Sequence, residues 1–311
     1  MTKMIRHGLA LGSGGARGLA HAGVLSVLHE EGLAPHIVAG TSMGAIVGGI
    51  YAETADPRTT WRRLAAFVQD PEFLDTWAPF IAKGSGEDGP QGPIQSLVSS
   101  LNRRFMQIRT VTRPALVDAD KLRRPLEKLF TARDFREFVI PFAAVGIDLI
   151  GGERVVFREG SVIEAVYGSA AIPGVFPPLV KDGMLIVDGG APFRVPLNTC
   201  REMGADIVIA VDIPGFESSK HEYRTGLDIM FRCDALARER LDAFVMANAD
   251  VVIRPDVSDY HWADFRCSDD CRLRGEEAAR RAVPEIRAAI AGAYEQQWGW
   301  RSRLRRVFGG A

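Results

Sequence analysis

Gly40-Thr41-Ser42-Met43-Gly44 is the stretch on which the fold turns. The apolar run His36-Ile37-Val38-Ala39 before it predicts a buried strand, and Ala45-Ile46-Val47-Gly48-Gly49-Ile50-Tyr51-Ala52 after it predicts a packed helix. A Gly-x-Ser-x-Gly run gains chemical meaning in that strand–turn–helix setting. Glycines at 40 and 44 remove the Cβ atoms that a tight reversal would crowd. Ser42 is then held at the top of the turn, over the amide end of a helix. Unpaired N–H groups and a partial positive charge at that end favour developing negative charge. Ser42 is therefore a candidate nucleophile, weighed against an incidental serine in a tight turn.

Working outward, Ile5 to Leu11 predicts the first strand, and it runs into Gly12-Ser13-Gly14-Gly15-Ala16-Arg17-Gly18. A helix follows through Leu19, Val24, Leu25 and Leu28, with Gly32 where a helix stop belongs. Glycine-rich loops between strand and helix often bind phosphate. A P-loop would need Gly-Lys-Ser/Thr, where this chain has Arg17-Gly18-Leu19. A dinucleotide fingerprint would need glycine where Arg17 stands. The remaining use is an oxyanion hole, in which glycine amides aim into a cleft. In a parallel α/β sheet both loops lie at the carboxyl edge, where ligands bind.

The chain has 311 residues, 47% hydrophobic and 25% charged, with a net charge of −1. That composition is globular, and its charge offers no field for nucleic acid. Cys200, Cys233, Cys267 and Cys271 are too scattered for a disulfide framework, and no metal site is expected from the Cys267–Cys271 pair. Met1 to His7 lacks the apolar run of a signal peptide, and no apolar stretch of ~20 residues could span a bilayer. A cytoplasmic protein is expected.

Further strands are predicted at 141–148, 154–157, 184–187, 207–211 and 251–253, and helices at 56–68, 97–106, 119–130, 162–171 and 275–294. Residues 83–93 read as a linker, and ~54–135 as a helical excursion over the active edge, either a cap that shapes an acyl-chain groove or an ordinary helical layer, with Phe73, Trp77 and Phe80 as exposed aromatics. Met230, Cys233, Ala237, Leu241 and Phe244 step by three and four, which predicts a core-facing helix stripe. In 298–311, Trp300, Leu304, Val307 and Phe308 share a helical face among arginines. That pattern suits a peripheral membrane contact, against a tail packed on the body.

A serine hydroxyl needs a base. The histidines are His7, His21, His29, His36, His221 and His261. An α/β-hydrolase places its histidine after the acid, beyond a late strand. No histidine here fits well: His261 is the nearest candidate, and His21 reads as structural. Asp188 ends the strand Met184–Val187 and is followed by Gly189-Gly190, so it is either a turn former or the acid in a cleft. A buried carboxylate has a raised pKa, which improves it as an acceptor for the serine proton.

At this point the chain resembles the bacterial patatin-like phospholipases, including relatives of the neuropathy-target-esterase catalytic domain. The resemblance rests on Leu9 to Gly18, Gly40 to Gly44, Ala171 to Pro178, Asp188-Gly189-Gly190, and Ala249 to Pro255. It implies a three-layer α/β/α sandwich with a mostly parallel sheet and a Ser42–Asp188 dyad at its carboxyl edge. It implies oxyanion donors at Gly14, Gly15 and Ala16, and a basic position at Arg17 that binds lipid phosphate or braces its loop. The expected organisation is one domain over 1–297, with signature blocks over about 8–201, and a tail over 298–311. The expected activity is hydrolysis of lipid carboxylic esters without metal or organic cofactor. Acyl transfer on the same dyad and a non-catalytic regulatory module are the alternatives. The chain departs from the family at Ser13, where glycine is usual, and at Arg194, where relatives often carry asparagine.

Overall fold

The computed structural model describes residues 4–81, 114–214 and 226–308. One eight-stranded sheet organises them. The strands are β1 (His7–Leu11), β2 (Ile37–Thr41), β3 (Phe142–Asp148), β4 (Arg154–Phe157), β5 (Leu179–Lys181), β6 (Met184–Asp188), β7 (Ile207–Val211) and β8 (Val251–Ile253). Their order is β5-β6-β3-β2-β1-β7-β8, with β4 also paired to β3. From β3 to β8 along this path the pairings are parallel, while β4, β5 and β6 join antiparallel. The strands are short and nearly all apolar because both faces are covered.

Alternation along the strands divides the core in two. Leu9, Leu11, Val38, Ala144, Ile209 and Val211 point into one layer. Ala10, Ile37, Ala39, Ala143, Val208 and Ala210 point into the other. The second layer is mostly small residues, so its cover lies close: a Cβ on Gly8 would come within 2.9 Å of Ala205 Cβ and 3.0 Å of Cys200 Cβ. That cover is α7 (Leu197–Glu202) and the end of α8 (Gly226–Met246), through Cys200 and Met246.

The larger layer receives α1 (Ala20–Glu30), α2 (Met43–Thr54), α6 (Val162–Ala170) and α9 (Ser268–Phe308). Helices α1 and α9 cross at paired glycines. A Cβ on Gly23 would collide with the Arg272 carbonyl, and one on Gly275 with the Ala20 carbonyl. Helix α1 stops where expected, with Gly32 at φ +67°. Helix α9 begins earlier than the sequence suggests, and passes Gly299 without a break. The basic-aromatic face of 298–311 lies outside the residues whose side chains are described.

The stretch 54–135 supplies α3 (Pro57–Val68), α4 (Pro71–Ile81) and α5 (Asp120–Leu129). Asp56 caps α3 by accepting from the amides of Arg58 and Thr59, with Pro57 at the first helical position. The linker at 83–93 and the helix at 97–106 fall outside the described residues.

Two expectations are corrected. Phe73, Trp77 and Phe80 are buried, at 2%, 5% and 8% exposure, because they close on Phe67, Phe176, Trp262 and Phe265 in one aromatic cluster. The α8 stripe faces the other way: Met230 is 67% and Phe244 75% exposed, and Cys233, Ala237 and Leu241 are exposed too. Periodicity shows that residues share a face, not which way the face points. Helix α8 is held instead from its opposite side by Met246 and by Asp242, which pairs with Arg194 at 2.6 Å.

Candidate active site

Strand register alone brings Ser42 to Asp188. Strand β2 lies along β3 as far as Thr41 opposite Val145. Strand β6 arrives from the other direction and ends with Asp188 opposite Gly146. Strand β4 overlaps both stretches of β3, so it occupies the opposite edge. Strands β2 and β6 thus meet head to head along one edge of β3. The residue after Thr41 and the last residue of β6 fall on adjoining rungs.

At the end of β2 the chain turns sharply into α2. Ser42 sits at φ 58°, ψ −122°, a conformation that side-chain-bearing residues seldom adopt. Gly40 and Gly44 are demanded by close approach. A Cβ on Gly40 would strike the Gly44 carbonyl, and one on Gly44 the Leu11 carbonyl. The Ser42 amide donates to Ser169 Oγ at 3.0 Å, and that hydroxyl donates to the Val145 carbonyl at 2.7 Å. Ser169, fully buried on α6, thereby ties the turn to β3. No motif in the sequence points to it; its signal is only a serine on the apolar side of a short helix.

Asp188 is buried. Burial pushes its pKa up to about 6, opposed by a side-chain hydrogen bond with Ser42 and by the Gly190 amide, which donates to Oδ1 at 2.7 Å. A Cβ on Gly190 would come within 3.0 Å of Ser13 Oγ, so the acid loop touches the glycine loop.

The glycine loop is fixed along its length. Gly12 N donates to the Val211 carbonyl at 3.0 Å, and Ser13 N to the Arg194 carbonyl at 2.9 Å. Gly15 takes φ +56°, and a Cβ there would strike the Trp262 carbonyl. The Ala16 amide donates to that same carbonyl at 2.7 Å, so it is not a free donor, which corrects its expected place among the oxyanion groups. Among the described residues no acceptor is found for the amides of Gly14 and Gly15. Gly15 and Ser42 line one apolar cavity of about 20 Å³ with Phe67, Phe73, Trp77 and Phe265.

Three side chains brace this loop. His21 is buried, and its Nε2–H donates to the Gly12 carbonyl at 2.7 Å; burial holds its pKa down at about 4, so it is neutral. Arg17 is buried with its Nε directed to the Gly14 carbonyl at 3.5 Å. Arg194 pairs with Asp212 at 2.7 Å and Asp242 at 2.6 Å, and donates to the Ile213 carbonyl at 2.6 Å. Its own carbonyl is the one that holds Ser13. His261 is half-buried, and its Nδ1 accepts from the Ala263 amide at 3.3 Å. Cys267 Sγ and Cys271 Sγ lie 3.4 Å apart, and no cluster of metal-ligating side chains is found among the described residues.

A mixed sheet sandwiched by helices defines the class, an α/β protein, and the strained serine turn facing a buried acid is its candidate site. The family follows from comparison. The model of the patatin-like phospholipases matches residues 9–200, and the chain belongs to that family. A patatin-like phospholipase domain-containing protein of Caenorhabditis elegans is 32% identical over 72% of this chain and 15% of its own length. A lysophospholipase of Cryptococcus neoformans is 30% identical over 66% of this chain and 11% of its own. Among solved structures, VipD of Legionella pneumophila is similar with a TM-score of 0.48 and 15% identity, covering 92% of this chain and 67% of that one. The chain spans half or less of the curated relatives it matches. No described helix is long and apolar enough to cross a membrane.

Proposed function

We propose that the protein is a serine acyl hydrolase that cleaves carboxylic esters of lipids, with lysophospholipids and phospholipids as its substrate class. The observation that carries this reading is the head-to-head meeting of β2 and β6, which sets Ser42 against a buried, hydrogen-bonded Asp188. Ser42 Oγ attacks the ester carbonyl while Asp188 accepts its proton. The amides of Gly14 and Gly15 hold the oxyanion, and the leaving alcohol takes the proton back. Water, deprotonated by Asp188, then releases the acid from the acyl-enzyme and regenerates Ser42. Donors fixed in advance act on charge present only in the transition state. His21, Arg17 and Arg194 keep those donors in place.

The lipid part of the reading is supported by family membership, by a relative named a lysophospholipase, and by the aromatic wall beside Ser42. No metal or organic cofactor has a role in these steps. The test is release of fatty acid from a lysophosphatidylcholine and of nitrophenol from p-nitrophenyl butyrate by the purified chain. Turnover of both is expected; a folded protein that turns over neither contradicts the reading.

A further inference from the structure

The cavity beside Ser42 is nearly full. At about 20 Å³ it has room for about one water. Phe67 forms part of its wall, 6% exposed, with its ring 4.2 Å from that of Phe73. Phe67 also lines a second cavity of about 230 Å³, more than ten times the 20 Å³ of the first. Ala66, Pro125 and Leu129 give that second space an apolar wall, and Arg63, Asp70 and Lys128 stand at its rim. The rim charges are already engaged: Arg63 pairs with Glu53 at 3.0 Å, and Lys128 with Asp70 at 3.2 Å. The interior therefore offers methylene-sized apolar contact without an unpaired charge.

Phe67 lies in the last turn of α3, next to the corner where Asp70 accepts from the Glu72 amide at 2.9 Å to start α4. Phe67 thus borders both a space with room for about one water and one more than ten times larger. We propose that Phe67 is the acyl-length filter of this site, and that the larger cavity is the blocked continuation of the acyl path, suited to the distal methylenes of a long-chain acyl ester. The proposal rests on the hydrolase reading of Ser42. With the ring in place the space beside Ser42 holds about one water, so a short acyl group reaches Ser42 with a small displacement of the wall and a longer one only by displacing Phe67 altogether. Once past it, each further methylene leaves water for Ala66, Pro125 and Leu129.

The test compares kcat/KM for p-nitrophenyl decanoate and p-nitrophenyl butyrate in the wild type, Phe67→Ala, Phe67→Leu, and Phe67→Ala combined with Ala66→Trp. The decanoate-to-butyrate ratio is expected to rise at least about tenfold in Phe67→Ala, a gain that two buried methylenes supply. Phe67→Leu keeps an apolar wall of reduced length, guards against loss of the fold, and raises the ratio by a smaller factor. Ala66 is exposed, and tryptophan there fills the second cavity, so the combined variant returns the ratio towards that of the wild type. An unchanged ratio in both single Phe67 variants, with butyrate still turned over, overturns the proposal. So does a gain that survives Ala66→Trp. Absence of butyrate turnover in the wild type overturns the hydrolase reading itself, and this proposal with it.

Discussion

Asp188→Asn is expected to slow ester turnover by about 10²–10⁴-fold and at the same time to make the protein more stable at neutral pH. The amide keeps the shape of the carboxyl group but cannot take the Ser42 proton. A positioned base is worth about 10²–10⁴-fold, so kcat should fall by that factor. The stability gain follows from burial. In the folded state Asp188 titrates near pH 6, above the carboxylate reference of 3.8. The folded protein therefore holds this proton more tightly than the unfolded chain. As pH rises from about 4 to 6 the native state loses stability from this group, and above pH 6 it carries the full cost. That cost is up to about 3 kcal/mol for a shift of this size. The Asp188→Asn variant carries no such charge, so its advantage should be present at pH 7.5 and vanish near pH 4. Denaturant unfolding of both proteins at the two pH values checks this. In the wild type, kcat/KM should climb about tenfold per pH unit below pH 6 and level off above it, as the free enzyme's base loses its proton. A variant no more stable than the wild type at pH 7.5, or a pH profile flat through 6, would contradict the role given to burial.

Ser42→Gly should also combine loss of turnover with a gain in stability, by a different route. Ser42 is held at φ 58°, ψ −122°, where residues with a Cβ are strained by about 1–3 kcal/mol. Glycine adopts that conformation without strain, though its unfolded chain is freer by roughly 0.4–1 kcal/mol. Ser42→Ala provides the control, because it removes the hydroxyl but keeps the Cβ. The glycine variant is expected to be about 1–2 kcal/mol more stable than the alanine variant, the reverse of the usual order in helical and extended structure. Equilibrium unfolding of the pair reads the difference, and equal stability would show that the turn stores no strain. Together the two variants describe a site in which the serine is bent and the acid is dehydrated, both at a cost to the fold.

Much of this site is legible in the sequence because its parts are local. The serine turn is one contiguous run in which strand, reversal and helix are all readable, and Gly40 and Gly44 stand where atoms of the chain pass too closely for a Cβ. Asp188-Gly189-Gly190 closes its strand in the same readable way. What escapes depends on long-range placement. That β6 runs antiparallel and meets β2 head to head is a matter of register, which no local pattern encodes. Ala16 reads as a donor, yet its amide is taken by Trp262, which lies 246 residues away (262 − 16). Ser169 is a small polar residue among apolar ones until the Ser42 amide is seen to rest on it. The α8 stripe and the α4 aromatics show the same limit from the other side. Spacing sorts their residues onto faces, and only packing decides which face is covered.

The central claim is that Ser42 is a nucleophile activated by Asp188. Intact-protein mass spectrometry with peptide mapping, after exposure to a fluorophosphonate, tests it most directly. One adduct is predicted on the wild type, located on Ser42, with none on Ser42→Ala and much slower labelling of Asp188→Asn. An adduct on another residue, or equal labelling of wild type and Ser42→Ala, would contradict the account.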